Sequence, residues 1–425
     1  MKENHTTTSL RDGGSIVDMK SYEQGRLTTS YAAIQFFFWF VYGTALAFAS
    51  PYLLACGLSN TAIGGISAAA CALSVALQPL IASYADRGTS PSVKTFLLIA
   101  AGGMVFFGLL LSGVYGKGAL LNGLLLGAAI LLIQLALPFT NALATETINQ
   151  GKPLKFSFAR AFGSIGYAVM SVTVGRLFAW KGPGAEPWIL IVTSVCFLIA
   201  ILLFPFEKEK KQAEEKEHAK SSMLAFFRRY PAFAATLIGC VLIYISHVVI
   251  NNFAFQIVEI KGGTSEHMGT ALALAGILEV LTMFFFSLLL RWKDSGFWFG
   301  ISGVFFTLKV LGTYLAPSIP VLYLVQLFQP LGWGLMTVAS VYYVNGIMQE
   351  QDRIKGQAYM TMSLSVATIL GSLTGGWMID TIGVNGMLIV AMLCGALGTL
   401  IVLFILLPRQ NKTRSTSGQY PQSPA

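Results

Sequence analysis

Charged residues are scarce in this sequence. Of 425 residues only 11% are Asp, Glu, Lys or Arg, whereas roughly a quarter are charged in ordinary soluble domains. This shortage excludes a conventional soluble enzyme, and it also excludes disorder, which requires many charges and few apolar residues. The formal net charge is +9, but the Lys and Arg lie in small groups between apolar stretches. The sequence therefore predicts no surface for nucleic acid.

Cysteine and the common nucleotide and metal motifs are also scarce or missing. The five cysteines form no C-x-x-C pair, and we interpret them as small buried side chains. No G-x-x-x-x-G-K-S/T motif is present, which argues against ATP-driven chemistry within this chain. No cluster of metal ligands stands out either. We therefore predict no cofactor, no metal, no catalytic residues and no enzyme activity.

Long apolar runs dominate instead, and 55% of the residues are apolar. A helix needs about 20 apolar residues to cross the hydrocarbon of a bilayer, where no water satisfies an open backbone. Twelve runs are long enough, and they predict an all-α membrane protein with twelve transmembrane helices. The predicted spans lie near residues 29–55, 61–85, 93–115, 118–147, 157–179, 187–206, 232–258, 266–290, 297–315, 319–347, 355–379 and 385–407.

A charge-rich segment, EKEKKQAEEKEHAK, separates the first six predicted spans from the last six. It predicts a polar tail at 1–28, a six-helix bundle at 29–206, a linker at 207–230, a second six-helix bundle at 231–408 and a polar tail at 409–425. If both tails face the cytoplasm, 22 Lys and Arg lie on that side and three lie on the other. This asymmetry predicts a multi-pass protein of the cell membrane with both termini cytoplasmic. We expect a monomer surrounded by lipid.

Two ionisable residues fall in the middle of predicted spans. At about 1.5 Å per residue, Glu279 lies about 20 Å from the outer end of its span and Lys309 about 18 Å from the inner end of the next. Such a residue costs about 2.5–3.5 kcal/mol near the bilayer centre, so each needs a reason to be there. We predict that Glu279 and Lys309 form or approach an ion pair in one state, and that protonation of Glu279 releases it and couples a proton to transport. A permanent structural pair is the alternative.

Arg160 lies only about 6 Å into its span. The sequence leaves two interpretations of its role. The side chain extends to the cytoplasmic surface, or its rigid fork of N–H donors binds a hydroxyl or a carboxylate. Glu146, at the end of the preceding span, is predicted to pair with Arg160 near the gate.

Uncharged polar and aromatic residues recur at helical spacing in several spans. Residues four or seven apart share one face of a helix, and polar groups in lipid turn toward the interior of a bundle. They predict a neutral, hydrogen-bonding cavity that suits an uncharged polyol. Interhelical hydrogen bonds and an interfacial aromatic belt are the alternatives. The residues are Gln35, Trp39, Tyr42, His247, Asn251, Asn252, Gln326 and Gln329.

Four local motifs carry a family resemblance. Residues 77–80 read LQPL, residues 85–88 read ADRG, residues 156–167 read FSFARAFGSIGY, and residues 375–383 read GGWMIDTIG. They resemble motifs of the major facilitator superfamily, and within it the oligosaccharide–proton symporter (lactose permease-like) subgroup. The resemblance implies the major facilitator fold, in which two six-helix bundles rock to expose a central site alternately.

The resemblance also implies roles for individual residues. It favours solute binding by Arg160, because the matching arginine of the subgroup contacts sugar. It implies a gate at Asp86 and Arg87, where Asp86 bonds the N-terminus of a neighbouring helix when the inner side is closed. Asp380 is implied to act likewise in the second half.

The sequence departs from the subgroup at three positions. The acidic residue of the fourth span corresponds here to Asn141, which follows Pro138. The His and Glu of the tenth span correspond to Gln326 and Gln329, and neither of these can titrate. We count all three among the predicted solute-binding residues.

These observations predict a secondary active transporter that imports a sugar, an oligosaccharide or a similar small polar solute with protons. One alternative is an exporter of drugs or metabolites by proton antiport. Another is a proton symporter for nucleosides or aromatic acids. A receptor that moves no solute is a third, but it would not need Glu279 and Lys309 at this depth.

Overall fold

The computed structural model describes residues 12–85, 91–206 and 223–416. These residues form α-helices joined by short turns, and no β-strand occurs among them. The α-helices are α1 (Asp12–Ala47), α2 (Ala49–Ala55), α3 (Asn60–Ala85), α4 (Val93–Val114), α5 (Ala119–Asn149), α6 (Phe156–Lys181), α7 (Glu186–Leu203), α8 (Met223–Arg229), α9 (Pro231–Asn252), α10 (Ala254–Glu259), α11 (Ser265–Leu289), α12 (Ser295–Leu315), α13 (Ile319–Val325), α14 (Leu335–Ile347) and α15 (Glu350–Thr416).

Ten helical segments of the described chain are long and apolar enough to cross a membrane. The last of them, Glu350–Leu406, has 57 residues and is interrupted at Gly383, where φ is 74° and ψ is 173°. A positive φ strains any residue with a side chain, so glycine suits this break between two spans. Helix α11 adds a further 25 residues. The chain therefore has the twelve transmembrane helices and the all-α membrane fold that the sequence predicts.

Several helices extend past the predicted spans. Helix α1 begins at Asp12, inside the predicted tail at 1–28, and α8 lies inside the predicted linker at 207–230. Helix α15 runs to Thr416, inside the predicted tail at 409–425. The prediction of spans counts apolar residues, whereas a helix can continue into water beyond the apolar run. Residues 207–222 of the linker lie outside the described residues.

The first bundle contains α1 and α3 to α7, and the second contains α9 and α11 to α15. Helix α6 crosses α11, and α3 crosses α15, so these two crossings join the bundles. Both crossings are close. A Cβ on Gly64 of α3 would lie 2.1 Å from the Ser372 carbonyl oxygen, and a Cβ on Gly269 of α11 would lie 2.1 Å from the Ser171 carbonyl oxygen. Lipid is as apolar as the helix surfaces, so the hydrophobic effect does not hold the two bundles together within a membrane. Glycine instead lets the backbones approach closely enough for van der Waals contact.

The tenth span is irregular. Helix α13 is followed by a 3₁₀ turn at Gln326–Phe328, then by a π-helical turn at Pro330–Gly334, and only then by α14. Pro330 has no N–H to donate and its ring obstructs the regular helical bond. The Pro330 carbonyl instead accepts a hydrogen bond from Thr282 Oγ1 at 2.8 Å. Gln329 therefore lies at the junction of the two irregular turns, beside α11 and α12.

Candidate functional site

Three side chains of the second bundle, two buried and one half-buried, form a chain of hydrogen bonds. Lys309 of α12 donates from Nζ to Gln329 Oε1, and Gln329 donates from Nε2 to Glu279 Oε1 on α11. Lys309 is 5% exposed and Gln329 is 4% exposed. We call this arrangement the amide bridge.

In the state described here, Glu279 and Lys309 approach each other through the amide bridge, and a direct pair in another state stays a prediction. No ion pair between the two appears among the described residues, and the Gln329 amide separates them. An amide offers one acceptor and two donors, so it satisfies an ammonium on one side and a carboxylate on the other. Breaking a buried ion pair by removing one partner is strongly destabilising. The bridge therefore keeps both charges in the interior while leaving them apart.

Each of the two predicted wall glutamines has a partner within its own bundle. Gln329 is held in the amide bridge, and Gln326 donates from Nε2 to the Leu322 carbonyl oxygen at 3.1 Å. A small cavity of about 40 Å³ lies beside Lys309, Asn251 and Gln326. Solute binding by the two glutamines stays a prediction.

His247 of α9 lies in an aromatic pocket next to the bridge. Its ring stacks on Trp333 with centroids 4.4 Å apart and planes at 9°, and Phe306 meets it edge-on at 5.2 Å. Asn251, one turn on, donates from Nδ2 to the His247 carbonyl oxygen at 2.8 Å and lies 3.2 Å from the ring Nδ1. Asn252 turns elsewhere and donates to Ser372 Oγ on α15 at 2.8 Å. Of the three residues predicted on this helix, only His247 and Asn251 are therefore in contact with each other.

A second arrangement of polar side chains lies on α1 of the first bundle. Trp39 Nε1 donates to Gln35 Oε1 at 3.2 Å, Gln35 Nε2 donates to the Tyr31 hydroxyl at 2.6 Å, and that hydroxyl donates to the Thr140 carbonyl oxygen at 2.9 Å. We call this set the indole relay. Tyr42 packs on Trp39 with ring centroids 4.9 Å apart. The predicted stripe of Gln35, Trp39 and Tyr42 thus comes together on one face.

Arg160 lies over the indole relay. Its guanidinium carbon is 4.5 Å from the centroid of the Trp39 ring, a cation–π contact. The acidic residue that attracts it is Glu279 of the second bundle. Glu146, the predicted partner, is not among the residues that interact with Arg160. No ion pair joins the two in the part of the chain that the structure describes, and the role of Glu146 near the gate stays a prediction.

Asn141 lies on α5 and is exposed. The structure does not bring it into contact with the indole relay or the amide bridge. Its backbone carbonyl accepts a hydrogen bond from Thr145 Oγ1 at 3.2 Å. Solute binding by Asn141 remains a prediction from the resemblance.

Asp380 closes the gap between the bundles at one end of the molecule. One carboxylate oxygen accepts from Asn60 Nδ2 at 2.8 Å, and the other accepts from the Thr61 backbone N–H at 2.7 Å and the Thr61 hydroxyl at 2.6 Å. These donors lie in the first turn of α3, where free N–H groups and the helix dipole favour an anion. We call this contact the clamp, and its end of the molecule the clamp end.

Further contacts between the bundles accompany the clamp. Gln256 Nε2 donates to Ser50 Oγ at 2.5 Å and to Asn60 Oδ1 at 2.7 Å. Arg176 of α6 pairs with Glu266 of α11 at 3.2 Å. Hydrogen bonds between described residues of α3 and α15 extend from the clamp only as far as Cys71 Sγ and the Ser365 carbonyl oxygen, 3.9 Å apart. Asp86 and Arg87, the predicted gate at the opposite end of α3, lie outside the described residues.

The sequence analysis did not identify two residues that contribute to the site. Tyr31 anchors the indole relay, and its spacing of four from Gln35 is the only clue to its role. Trp333 stacks on His247, but the π-helical turn that contains it obscures the helical spacing.

The described residues hold no group of three or more His, Cys, Asp or Glu that suits a metal ion. A cavity of about 620 Å³ lies elsewhere, beside Leu177 and Trp188, and includes none of the predicted site residues.

Comparison with known sequences identifies one family. Residues 28–390 match the MFS_1 like family, which is most of the chain. No curated protein matches the sequence.

Comparison with solved structures finds transporters of the same fold. The nucleoside transporter NupG superposes with a TM-score of 0.75 at 15% identity, covering 90% of this chain and 98% of that one. A POT family transporter in complex with a thioalcohol conjugated peptide gives 0.71 at 13% identity, covering 92% and 98%. A D-xylose-proton symporter gives 0.63 at 15% identity, covering 91% and 97%. Identities this low show a shared fold, and the three substrates differ.

Proposed function

Because the chain belongs to the MFS_1 like family, we propose that it is a secondary active transporter that moves a small polar solute together with protons. Its multi-pass helical fold and its family make it a membrane transporter of the major facilitator type rather than an enzyme. The coupling to protons and the kind of solute are our inference from the site.

The amide bridge is the observation that carries this proposal. Charged side chains are costly in the interior of a membrane protein, so those that occur there are paired and mark functional sites. Glu279 accepts a hydrogen bond from the Gln329 amide of its own bundle, and the Arg160 charge of the other bundle attracts it. A proton on Glu279 removes its attraction for Arg160 and weakens the electrostatic link between the two bundles. The protonation state of one side chain therefore bears directly on how the bundles move.

The clamp stabilises one of the two states that such a cycle requires. Alternating access needs contacts that close one end of the cavity while the other end opens. In the state described here, Asp380 and the close glycine crossings close the clamp end. Breaking the clamp would open that end to the solute. We propose that Arg160, Trp39, His247 and Asn251 face the solute in the cavity between the ends.

Import of a sugar or an oligosaccharide is the expectation that the sequence resemblance contributes. The oligosaccharide–proton symporter subgroup itself stays a prediction. The printed substrates of the structural relatives include nucleosides, peptides and a pentose. The solute panel of any test therefore needs to include each of these chemical classes.

Uptake by proteoliposomes tests the proposal. The purified chain is reconstituted with an inside-alkaline pH gradient, and the accumulation of radiolabelled hexoses, disaccharides, nucleosides, dipeptides and uronates is followed with and without a protonophore. We expect the gradient to drive accumulation of at least one solute above equilibrium, and the protonophore to abolish that accumulation.

The Glu279→Gln variant separates coupling from binding. It keeps the hydrogen bond to Gln329 but carries no charge at any pH, so we expect exchange of solute across the membrane without gradient-driven accumulation. Glu259→Gln is the matched control, because Glu259 is exposed on α10 and outside the site. Accumulation by Glu279→Gln equal to that of the unmodified chain would remove Glu279 from coupling and defeat the proposal.

A further inference from the structure

The Arg160 guanidinium has no hydrogen-bond acceptor among the residues that the structure describes. Its recorded close contact is the face of the Trp39 ring, which accepts no conventional hydrogen bond. A guanidinium has five N–H donors and remains charged in proteins. A charged group that lacks acceptors in a half-buried position is therefore a place where an external acceptor binds favourably.

The indole relay fixes the direction in which Arg160 offers these donors. Trp39 is held through Gln35 and Tyr31 to the carbonyl of Thr140 on another helix. The guanidinium carbon lies over this indole, 4.5 Å from the ring centroid, and two parallel N–H groups of a guanidinium match the two oxygens of a carboxylate. The relay thus holds the aromatic surface against which Arg160 lies.

The charges around this site are unbalanced. The groups that face Glu279 are Arg160 and Tyr167 of α6, Gln329 of the tenth span, and Lys309 of α12. Among them Arg160 and Lys309 are cations, and Glu279 is the one acid. The site therefore holds one surplus positive charge when Glu279 is ionised and two when it is protonated. Such a surplus attracts an anion strongly in a poorly solvated cavity.

A neutral polyol fits this arrangement less well than an acid does. A hydroxyl oxygen accepts hydrogen bonds from the guanidinium but brings no charge to balance it. A carboxylate supplies both, and it competes with Glu279 for Arg160 while Glu279 is ionised. A proton on Glu279 ends that competition, so proton and carboxylate each favour the binding of the other, and by the same factor.

Resting on the proposed function, we propose that the transported solute carries a carboxylate, which the Arg160 guanidinium on Trp39 binds in bidentate fashion once Glu279 is protonated. A sugar acid or a hydroxy acid has this chemistry, and a neutral sugar does not. The carboxylate would lie between the two bundles, where its charge compensates Arg160 and Lys309 together.

Chemical labelling of Arg160 tests the inference directly. Phenylglyoxal modifies arginine, and mass spectrometry of the full chain in proteoliposomes reports the extent of modification at each site. The probes are two matched pairs that differ by a carboxylate, namely D-glucuronate with D-glucose and L-lactate with 1,2-propanediol. Arg291, which is exposed and distant from the site, is the internal control. The labelling is carried out on the unmodified chain and on Glu279→Gln.

We expect at least one acid to protect Arg160, and its neutral partner to protect about tenfold less or not at all. We expect that acid to protect at about tenfold lower concentration in Glu279→Gln than in the unmodified chain at alkaline pH, because the competing carboxylate is gone. Modification of Arg291 should not change. Equal protection by acid and neutral partner, or no protection by either acid in Glu279→Gln, overturns the inference.

Uptake measurements distinguish failure of this inference from failure of the proposed function. Proton-driven accumulation of glucose without that of either acid would retain the proton-coupled transporter and overturn the carboxylate. Protection of Arg160 by an acid whose uptake does not depend on the pH gradient would retain the carboxylate site and overturn the coupling.

The Arg160→Lys variant keeps the positive charge but loses the two parallel N–H donors of the guanidinium. We therefore expect it to raise the KM for the acid about tenfold while proton coupling is retained.

Discussion

The two bundles hold their buried cations in different ways. In the second bundle, Lys309 is bound to Gln329 and through it to Glu279, so its charge has a permanent partner within the bundle. In the first bundle, Arg160 lies over the Trp39 ring, and the acidic residue that attracts it, Glu279, belongs to the other bundle. One cation is therefore part of the internal structure of its bundle, and the other depends on what occupies the cavity.

This difference assigns different tasks to the two bundles. A carboxylate with a fixed amide partner is suited to taking up and releasing a proton without disturbing the surrounding packing. A guanidinium with free donors on a rigid aromatic surface is suited to recognising a solute. The indole relay is neutral throughout, so protonation changes do not disturb it. In the proposed function, proton handling therefore belongs to the second bundle and solute recognition to the first, and the Glu279–Arg160 attraction links them.

Breaking the amide bridge should produce the largest effect. Gln329→Leu leaves Lys309 and Glu279 buried without their common partner, and we expect a loss of about 3–5 kcal/mol in the free energy of unfolding. Thermal unfolding of the detergent-solubilised protein measures this. Combining Gln329→Leu with Lys309→Met and Glu279→Leu should recover most of the stability but no proton coupling. A stable single variant would mean that the bridge is not the structural support of these charges.

Removing the clamp should have the next largest effect, on the equilibrium between states. Asp380→Ala removes the acceptor for the Asn60 and Thr61 donors, and charged hydrogen bonds of this kind contribute about 1.5–3 kcal/mol. We expect the closed state at the clamp end to lose population by about tenfold or more. A cysteine placed at Ser372, which is buried at the α3–α15 crossing, should then react faster with a membrane-impermeant maleimide than it does with Asp380 intact. Unchanged reactivity would show that the glycine crossings alone close this end.

Breaking the indole relay should have a smaller effect than breaking the amide bridge. Gln35→Leu removes the neutral link between Trp39 and Tyr31, and we expect a loss of about 1–2 kcal/mol because no charge is left buried. The KM for the solute should rise because Trp39 and Arg160 lose their fixed orientation, while the ratio of protons to solute should stay the same. An altered proton ratio would contradict the separation of tasks between the bundles.

Removing the Tyr31 hydroxyl, at the end of the relay farthest from Trp39, should have the smallest effect on stability and on KM. Tyr31→Phe removes the hydroxyl that accepts from Gln35 and donates to Thr140, and we expect a loss of about 0.5–1.5 kcal/mol. The KM should rise only a few-fold, since the Gln35–Trp39 bond is retained. An effect equal to that of Gln35→Leu would show that the relay depends entirely on its anchor at Thr140.

The sequence was sufficient to predict the twelve helices, whereas the depth of the central charges in a bilayer stays a prediction. Apolar length determines which segments cross a bilayer, and a constant rise per residue places Glu279 and Lys309 near its middle. The division into two bundles follows from the charged linker. These properties depend on local composition and on counting along one helix, so no knowledge of neighbouring helices is required.

The partners of those charges were not predictable in the same way. Gln329 reaches both Glu279 and Lys309 because the tenth span departs from regular helical geometry at Pro330, and the number of residues per turn there cannot be counted from the sequence. Arg160 was assigned to Glu146 because the two are close along the chain, whereas the actual attraction is to another bundle. Predictions within one helix were therefore more accurate than predictions between helices.

The π-helical turn at Pro330–Gly334 also constrains how this chain can change by insertion or deletion. A wide turn holds one residue more than a regular turn, and each residue advances a helix by about 100°. Deleting one residue there would restore regular geometry and leave Leu335–Ile347 in its present orientation, whereas deleting one residue from the regular part of α14 would rotate all that follows by about 100°. The wide turn is thus the place in this span where the loss of one residue is tolerated best.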